Sequence, residues 1–523
     1  MISVIHHLHS AENAVAIEAP KFNRIKAGVF FIIIVLLIVA TYFSPHIWHH
    51  GEAREALVIQ DIVKNHRWVL PLRNGELPSK PILYHWMAAS FALPLGLSDF
   101  TVRLPSVVGA ALLVWVTYAV GALGTNRKTG LLAVAILAST FEFWDSGTEA
   151  RIDMLFSALI GAALAGWYFW YRSGRELARA AAYLSIALAV LAKGPAGAAL
   201  PVMVIFCFLA LERDLSTLFR FFSWPWVVMV VTIDFGWYLT AYQRGGVDFW
   251  HKQIIYENID RYFGAAAFHT HKNTFSQAIW LMTQLFPWSL VLISASVRWI
   301  RGLREDSFGR FLHAWWLTIF AFFLFAAGQR AVYLLPIYPA VALLAARECA
   351  AFLDARQKAP GNPRIWIQGW AAAAVVIAVI DLLLAVGIPI SRTVQEDSSD
   401  QEEFIEEAIP KIPATAALYA AADFPETALI VLAYRLRRDI PSQPIKCQGD
   451  YYYLSGGNRR QIRRPRSLNG DSRVENNRTQ NKRRSARAKN HPSDTTCASN
   501  ILTTISATRK QTLQLLHVSN SSN

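Results

Sequence analysis

Charged residues are scarce in this chain: Asp, Glu, Lys and Arg make up 17% of its 523 residues, against about a quarter in an ordinary soluble protein. Cysteine is scarcer still. The four present, Cys207, Cys349, Cys447 and Cys497, form no CxxC pair, which excludes a disulfide scaffold and a zinc ribbon. The chain also lacks a Gly-rich nucleotide loop, a GxSxG elbow and an HExxH helix, the local signatures of nucleotide binding, serine hydrolysis and zinc proteolysis. What is present instead is apolar. The AVILMFWYC set accounts for 54% of the residues, and 18 of them are Trp, a composition that fits one large membrane-embedded body better than several soluble domains.

The formal charge of +14 invites a nucleic-acid reading until its distribution is examined. Residues 441–523 hold 15 Lys and Arg against 4 Asp and Glu, a net of +11, while the other 440 residues hold 36 against 33, a net of +3. The basicity belongs to a tail rich in Arg, Asn, Ser and Thr, with no Trp and little apolar periodicity. Such a segment buries too little surface to offset its ordering entropy, so disorder is expected. Its basic runs at 459–466 and 482–489 read as a solvated tail ahead of a site for anionic lipid or nucleic acid, and no nucleic-acid partner is expected. The change in composition near 441–447 is abrupt, as an accidental extension such as a shifted reading frame would produce.

A bilayer core about 30 Å thick needs roughly 20 apolar residues per helix. Runs of that kind occur near 27–43, 104–123, 129–145, 153–171, 179–192, 194–211, 221–241, 277–297, 311–327, 331–347 and 366–388, which predicts about eleven spans. The first is too long and uninterrupted for a cleaved signal. Basic residues in short loops set orientation. Lys21, Arg24 and Lys26 precede the first run, and counting alternately brings Arg127, Arg172, Arg175, Arg179, Arg213, Arg220, Arg298, Arg310 and Arg347 to the same side. This predicts a cytoplasmic N-terminus over 1–26, a transmembrane domain over 27–388 with long outer loops at 44–102 and 242–276, a partial outer domain at 389–440 and the tail at 441–523. The expected fold class is an all-α polytopic membrane protein of about eleven transmembrane helices, with interfacial helices in the outer loops and a partial small outer domain. One such helix is expected over 53–68, where Ala56, Ile59, Ile62 and Val63 form an apolar stripe.

The outer face collects the candidate chemistry. Asp153, in Glu149-Ala150-Arg151-Ile152-Asp153, opens the fourth run. An unpaired carboxylate there costs several kcal/mol, which argues for function, with pairing to Arg151 as the structural alternative. Glu52, in His50-Gly51-Glu52-Ala53-Arg54, is a second carboxylate outside the first run, and two carboxylates facing one cavity are what acid–base chemistry needs. Lys80, between Pro78 and Pro81, places a cation at headgroup level suited to a lipid phosphate; the plain alternative is a snorkelling lysine. Lys193, in Lys193-Gly194-Pro195, must neutralise a carboxylate or a ligand phosphate. Arg261 offers a planar fork for phosphate. Phe286-Pro287-Trp288 and the stretch from Tyr333 to Pro339 read as Pro-broken helix ends within an aromatic belt, or as a sugar- or lipid-lining wall. His46, His49 and His50, and likewise His269 and His271, lack carboxylate partners and read as polar surface, so no metal site is expected.

Together these motifs resemble the integral-membrane (GT-C) glycosyltransferases that use a polyprenyl-phosphate sugar, in the bacterial branch containing the lipid A aminoarabinose transferase and relatives of protein O-mannosyltransferases. The likeness rests on Gly51-Glu52-Ala53-Arg54, Asn74-Gly75-Glu76, Lys80-Pro81, Tyr84-His85-Trp86, Arg151-Ile152-Asp153, Lys193-Gly194-Pro195, Glu257-Asn258, Arg261-Tyr262-Phe263, Phe286-Pro287-Trp288 and Tyr333-Leu334-Leu335-Pro336, in order over about 27–440. It implies a transferase at the periplasmic face of the bacterial inner membrane. The donor is a sugar on polyprenyl (undecaprenyl) phosphate, and the acceptor an envelope molecule such as lipid A. Asp153 and Glu52 become acid/base candidates; Lys80, Arg261, Lys193 and Arg54 surround the donor phosphate; Tyr84, Tyr333 and Trp288 line the substrate. The resemblance fixes no cofactor; it allows a divalent metal, for which these motifs offer no ligand cluster. The family's first acidic position, often Asp, is Gly51 here, with Glu52 beside it. The alternatives are protein or cell-wall O-glycosylation within the family and, outside it, a lipid-linked sugar flippase or transporter. Transport needs charge near the bilayer midplane, where Asp234 and Asp381 are the exceptions to the outer-face clustering.

Overall fold

The structure is a computed structural model that describes residues 24–47, 50–264, 275–301, 306–358, 399–443, 450–458, 499–505 and 511–518, with a few positions between 379 and 387. The chain divides into two compact units, Met1–Ile47 with Arg54–Gln395, and Trp48–Ala53 with Glu396–Asn523.

The first unit is helical. In order it contains α1 (Arg24–Tyr42), α2 (His50–Asn65, whose first turn groups with the second unit), α3 (Leu83–Leu95), α4 (Asp99–Gly124), α5 (Arg127–Ala138), α6 (Phe141–Thr148), α7 (Ile152–Ser173), α8 (Glu176–Lys193), α9 (Ala196–Glu212), α10 (Ser216–Phe221) and α11 (Trp224–Trp250). A π-helix, His251–Asp260, follows, then α12 (Ser276–Gln284), α13 (Trp288–Arg301), α14 (Ser307–Leu324), a 3-10 helix at Ala331–Ile337 and α15 (Tyr338–Lys358). Side-chain caps open several of these. Ser98 and Thr101 exchange hydrogen bonds as a capping box at α4, Asn126 accepts from the Thr129 amide at α5, and Asp306 accepts from the Gly309 amide at α14; each satisfies an amide the helix cannot pair itself.

Among the described residues, four segments are long and apolar enough to cross a membrane: Asp99–Gly124, Ile152–Ser173, Ser307–Leu324 and Ala331–Leu353. The pair α12 and α13 is apolar enough only when taken together, as a broken span or a re-entrant loop, and is bent by 109° at Pro287, which has no N–H to continue the helix. The run 129–145 is not one helix. It divides at Ser139-Thr140, whose hydroxyls turn back onto the carbonyls of Ile136 at 2.8 Å and Leu137 at 2.7 Å, local bonds that compete with the helical ladder. The run 366–388 lies largely outside the described residues. The stripe on α2 read as an interfacial anchor is instead core: Ala56, Ile59 and Ile62 are fully buried.

Close approach of helices depends on small residues, as in membrane bundles generally. A Cβ at Gly109 of α4 would come within 2.8 Å of the Leu155 backbone on α7, and one at Gly166 of α7 within 2.9 Å of the Ala182 amide nitrogen on α8. An aromatic cluster of Trp167, Tyr168, Phe208, Phe311 and Trp315 fills the space beside them, with Tyr168 stacked on Phe311 at 4.5 Å. Because α7 and α8 run antiparallel through a short turn, Asp153 at the start of one and Lys193 at the end of the other share one end of the bundle. Arg172 and Arg179 lie at the opposite end, where Arg179 donates to the Arg220 carbonyl.

The second unit corrects the all-α expectation. β1 (Ala417–Ala420), β2 (Tyr451–Asn458), β3 (Ser499–Ile505) and β4 (Gln511–Val518) form one sheet in the order β1-β2-β4-β3. The pair β1 and β2 is parallel, crossing over through α17 (Glu426–Arg435), while β4 is antiparallel to both neighbours; α16 (Ser399–Ala408) precedes them. Three of these strands lie within 441–523, the segment expected to be disordered. Period-two apolar positions carry them: Leu513, Leu515 and Tyr451, Tyr453 are buried, a pattern that short strands inside an Arg-rich segment obscure at the level of composition. The two basic runs, 459–466 and 482–489, lie outside the described residues.

The α7–α8 contact has a measurable consequence. Gly166→Val should lower stability by about 1–3 kcal/mol through overpacking, read as a drop in the thermal midpoint of the detergent-solubilised protein. Gly236 on α11 faces open space, so Gly236→Ala should leave the midpoint unchanged or raise it slightly.

Candidate active site

Four segments of the helical unit converge on one set of charged side chains. The first is the loop between α2 and α3 that carries Lys80. Asn74 and Gly75 take positive φ values of 49° and 85°, the two-residue turn that Asn-Gly favours, closed by paired amide bonds between Arg73 and Glu76 at 2.8 and 3.0 Å. The loop is then held in place by surrounding side chains. Asp61 accepts from the Leu72 amide at 2.7 Å, Trp86 Nε1 donates to the Trp68 carbonyl at 2.6 Å, Trp237 Nε1 to that of Val69 at 3.0 Å, and Gln253 Nε2 to that of Pro78 at 2.6 Å.

The π-helix supplies the second segment. Such helices are rare and occur disproportionately at functional sites. It presents Glu257, with Arg261 four residues on; Glu257 Oε2 accepts from Lys80 Nζ at 2.9 Å and from Arg261 Nη1 at 3.0 Å. The 3-10 helix contributes Tyr333, whose hydroxyl accepts from Arg261 Nη2 at 3.0 Å. The α7–α8 end completes the set. Asp153 is ion-paired with Lys193, and the Lys193 ammonium stands 4.7 Å from the centroid of the Tyr333 ring and 4.8 Å from that of Phe156, within cation–π range. Gly194 follows at φ 89° and ψ −160°, a conformation essentially confined to glycine. It turns the chain out of α8 immediately after the lysine.

Lys80, Glu257, Arg261, Tyr333, Lys193 and Asp153 thus form one continuous line of polar contacts. Arg54 stands next to it, hydrogen-bonded to Ser79 Oγ. Glu257 was quoted in the sequence only as part of a motif; its place four residues before Arg261 is the helical spacing at which opposite charges meet, and that was the available signal. Burial by itself raises a carboxyl's pKa, but here Lys80 first, then Arg261 and Arg54, outweigh it and hold Glu257 below the usual carboxylate range. Glu55 is likewise held low against burial, by a 2.7 Å hydrogen bond with His85 and by the charges of His85, Arg54 and Lys80.

Other sequence candidates fall elsewhere. Arg151 pairs with Glu149, so it is Lys193 that partners Asp153. Tyr84 is fully buried, its hydroxyl bonded to the Val102 carbonyl at 3.1 Å and to Ser106 Oγ at 3.0 Å, and Ser106 donates to the Arg151 carbonyl. Expected to line substrate, Tyr84 is instead core beneath the turn into α7, its hydroxyl engaged by Val102 and Ser106. Trp288 donates to Ser139 at the break between α5 and α6 and makes no described contact with the charged line. Glu52 is buried in the first turn of α2 and groups with the second unit. His46 pairs with Asp99 at 2.9 Å, while His49, His269, His271 and Asp381 lie outside the described residues. Among the described residues, no three His, Cys, Asp or Glu side chains converge to hold a metal ion.

Chemically, four cations, Lys80, Arg261, Lys193 and Arg54, face three carboxylates, Glu257, Asp153 and Glu55. The surplus suits a phosphate-sized anion. The lowered Glu257 also fixes a pH dependence. A carboxyl whose folded value lies below its unfolded value, about 4.3, contributes stability that is present above the unfolded value and lost as pH falls through the folded one. Glu257→Gln should therefore flatten the acid limb of a stability–pH curve recorded by thermal melting and lower its neutral and alkaline part, where the parent's ionised carboxylate contributes.

Residues 79–235 match the family described as dolichyl-phosphate-mannose-protein mannosyltransferase. The chain is 28% identical over 341 residues to the undecaprenyl phosphate-alpha-4-amino-4-deoxy-L-arabinose arabinosyl transferase of Shewanella sediminis, covering 62% of this chain and 61% of that protein. It is 26% identical over 374 residues to the enzyme of the same name from Pectobacterium carotovorum, covering 70% and 66%. The matches thus span less than two thirds of these relatives' length. Among solved structures, ArnT from Cupriavidus metallidurans bound to undecaprenyl phosphate superposes with a TM-score of 0.69 at 17% identity, covering 82% of this chain and 92% of that one. The apo form of the same protein gives 0.65 at 16%, covering 79% and 84%. These likenesses agree with the one drawn from the sequence motifs: the chain shares the fold of the ArnT structures.

Proposed function

We propose that this chain is a glycosyltransferase that moves a sugar from polyprenyl (undecaprenyl) phosphate to an envelope acceptor such as lipid A, at the periplasmic face of the bacterial inner membrane. The observation that carries the reading is the charged line from Lys80 to Asp153, in which cations outnumber carboxylates beside an aromatic ring. The names of the relatives point the same way. The orientation is the one set by the short-loop Lys and Arg: about eleven spans, a cytoplasmic N-terminus, and the loops bearing Lys80 and Arg261 outside.

In the reaction, an acceptor hydroxyl or phosphate oxygen attacks the anomeric carbon as the bond from that carbon to the lipid phosphate oxygen breaks. A diester carrying one negative charge leaves as a monoester carrying nearly two. Lys80 and Arg261 face that growing charge, and donors already in place for it lower the barrier without reorganisation. Asp153, held by Lys193, takes or orients the proton of a hydroxyl acceptor. Lys193 and Tyr333 fix the geometry between the two ends. Glu52 is the second acid/base candidate.

The match to a protein mannosyltransferase family favours one competing reading, transfer to a protein hydroxyl. For a transporter, the described residues offer Asp234 on α11, whose Oδ1 is buried without a hydrogen-bond partner, as an ionisable group apart from the charged line. Mass spectrometry of lipid A and of envelope glycoproteins from a deletion strain separates the three. A missing lipid A substituent supports the proposal, a missing protein glycan supports the second reading, and unchanged profiles with altered lipid-linked sugar distribution refute both.

Two substitutions test the residue roles. Asp153→Asn should reduce kcat by at least about 100-fold and also lower the thermal midpoint, because Lys193 loses its ion-pair partner; activity retained by the folded variant would remove Asp153 from the chemistry. Lys80→Ala should raise the donor KM about tenfold to a hundredfold, the loss expected for one charged hydrogen bond of about 1.5–3 kcal/mol.

A further inference from the structure

Glu257 is the one charged member of the line that the proposed chemistry leaves without a task. Its side chain is 5% exposed, and a single oxygen, Oε2, takes both Lys80 Nζ at 2.9 Å and Arg261 Nη1 at 3.0 Å. Those two cations come from segments 177 and 4 residues away in sequence. One anionic oxygen shared by an ammonium and a guanidinium is the arrangement a phosphate oxygen would adopt at the same place. The cations are themselves about one-fifth exposed, so the site opens on their side and not on that of Glu257.

We infer that Glu257 is a resident counter-anion, occupying the donor-phosphate position in the empty site and yielding it when the lipid phosphate binds. The inference rests on the proposal that this site takes a polyprenyl phosphate. Two largely buried cations brought together without an anion would be costly, and the carboxylate removes that cost while the site is vacant. A phosphate offers more oxygens and more charge and displaces it. Arg54 already acts on Glu257.

The exchange has a second effect. The departing polyprenyl phosphate bears more charge than the donor it came from, and a site with only cations would hold it longer. A carboxylate that returns to Lys80 and Arg261 competes with the product and speeds its release.

The test measures binding of undecaprenyl phosphate to the full-length protein in detergent, by titration calorimetry, together with steady-state kinetics. Glu257→Gln should bind about tenfold tighter, as removing one like charge a few ångströms from the phosphate implies. Its donor KM should fall, kcat should fall with it, and product inhibition should strengthen. A scaffolding role predicts the opposite sign, so unchanged or weaker binding by Glu257→Gln overturns the inference. Should that variant fail to fold, Glu257→Asp decides. Its shorter side chain cannot reach both cations, so tighter binding than the parent supports the inference and equal or weaker binding overturns it. Parent protein that binds, Lys80→Ala that does not, and Glu257 variants that bind no tighter would overturn the inference alone. Parent protein with no affinity for undecaprenyl phosphate would overturn the reading of the site as well.

Discussion

A charge removed from water must meet an opposite charge or a hydrogen-bonding partner, and in a chain this poor in charge few are on hand. That requirement organises the helical unit. At one end of the α7–α8 hairpin Asp153 meets Lys193; at the far end Glu212 takes Arg310 at 2.9 Å and Asp306 takes Arg347. Between them the bundle is closed by small residues and aromatics. Each ionic pair ties together segments distant in sequence, so the pairs fix which helices are neighbours as well as neutralising charge.

The ends differ in what they leave over. Around Arg310 and Arg347 carboxylates and guanidiniums match one for one. Around Lys80 and Arg261 one carboxylate oxygen is divided between two cations, and a third cation, Lys193, leans on an aromatic ring. An imbalance of that kind is unfavourable in the empty protein and becomes favourable once an anion arrives. It is the physical difference between a structural ion pair and a binding site.

Irregular backbone concentrates at the same end. The positive-φ turn at Asn74-Gly75, the π-helix at His251–Asp260, the glycine at position 194 and the 3-10 helix at Ala331–Ile337 each interrupt regular helix beside a charged residue. Regular helices would place Lys80, Glu257, Tyr333 and Lys193 on separate cylinders about 8–10 Å apart. The interruptions bring them within contact distance. Motifs recognisable along the sequence, Lys80-Pro81, Lys193-Gly194-Pro195 and Tyr333 to Pro336, are the places where helix must stop.

The helical class and the identity of most charged residues in the site were legible in the sequence, because apolar runs must lie in lipid and a charge at the edge of such a run is rare enough to need a reason. Asp153, Lys80, Lys193, Arg261 and Tyr333 were visible on those grounds. Tertiary structure alone decided who meets whom. Lys193 forms the ion pair with Asp153, on which the Arg151 charge also acts; Glu257, unremarkable as a polar loop residue, joins Lys80 to Arg261; Tyr84 is core. The break at Ser139-Thr140 and the strands at 451–458, 499–505 and 511–518 were also decided there. Periodicity reports which face of an element is apolar, but a pairing between residues 177 positions apart, or between strands separated by an Arg-rich stretch, leaves no local trace in the chain.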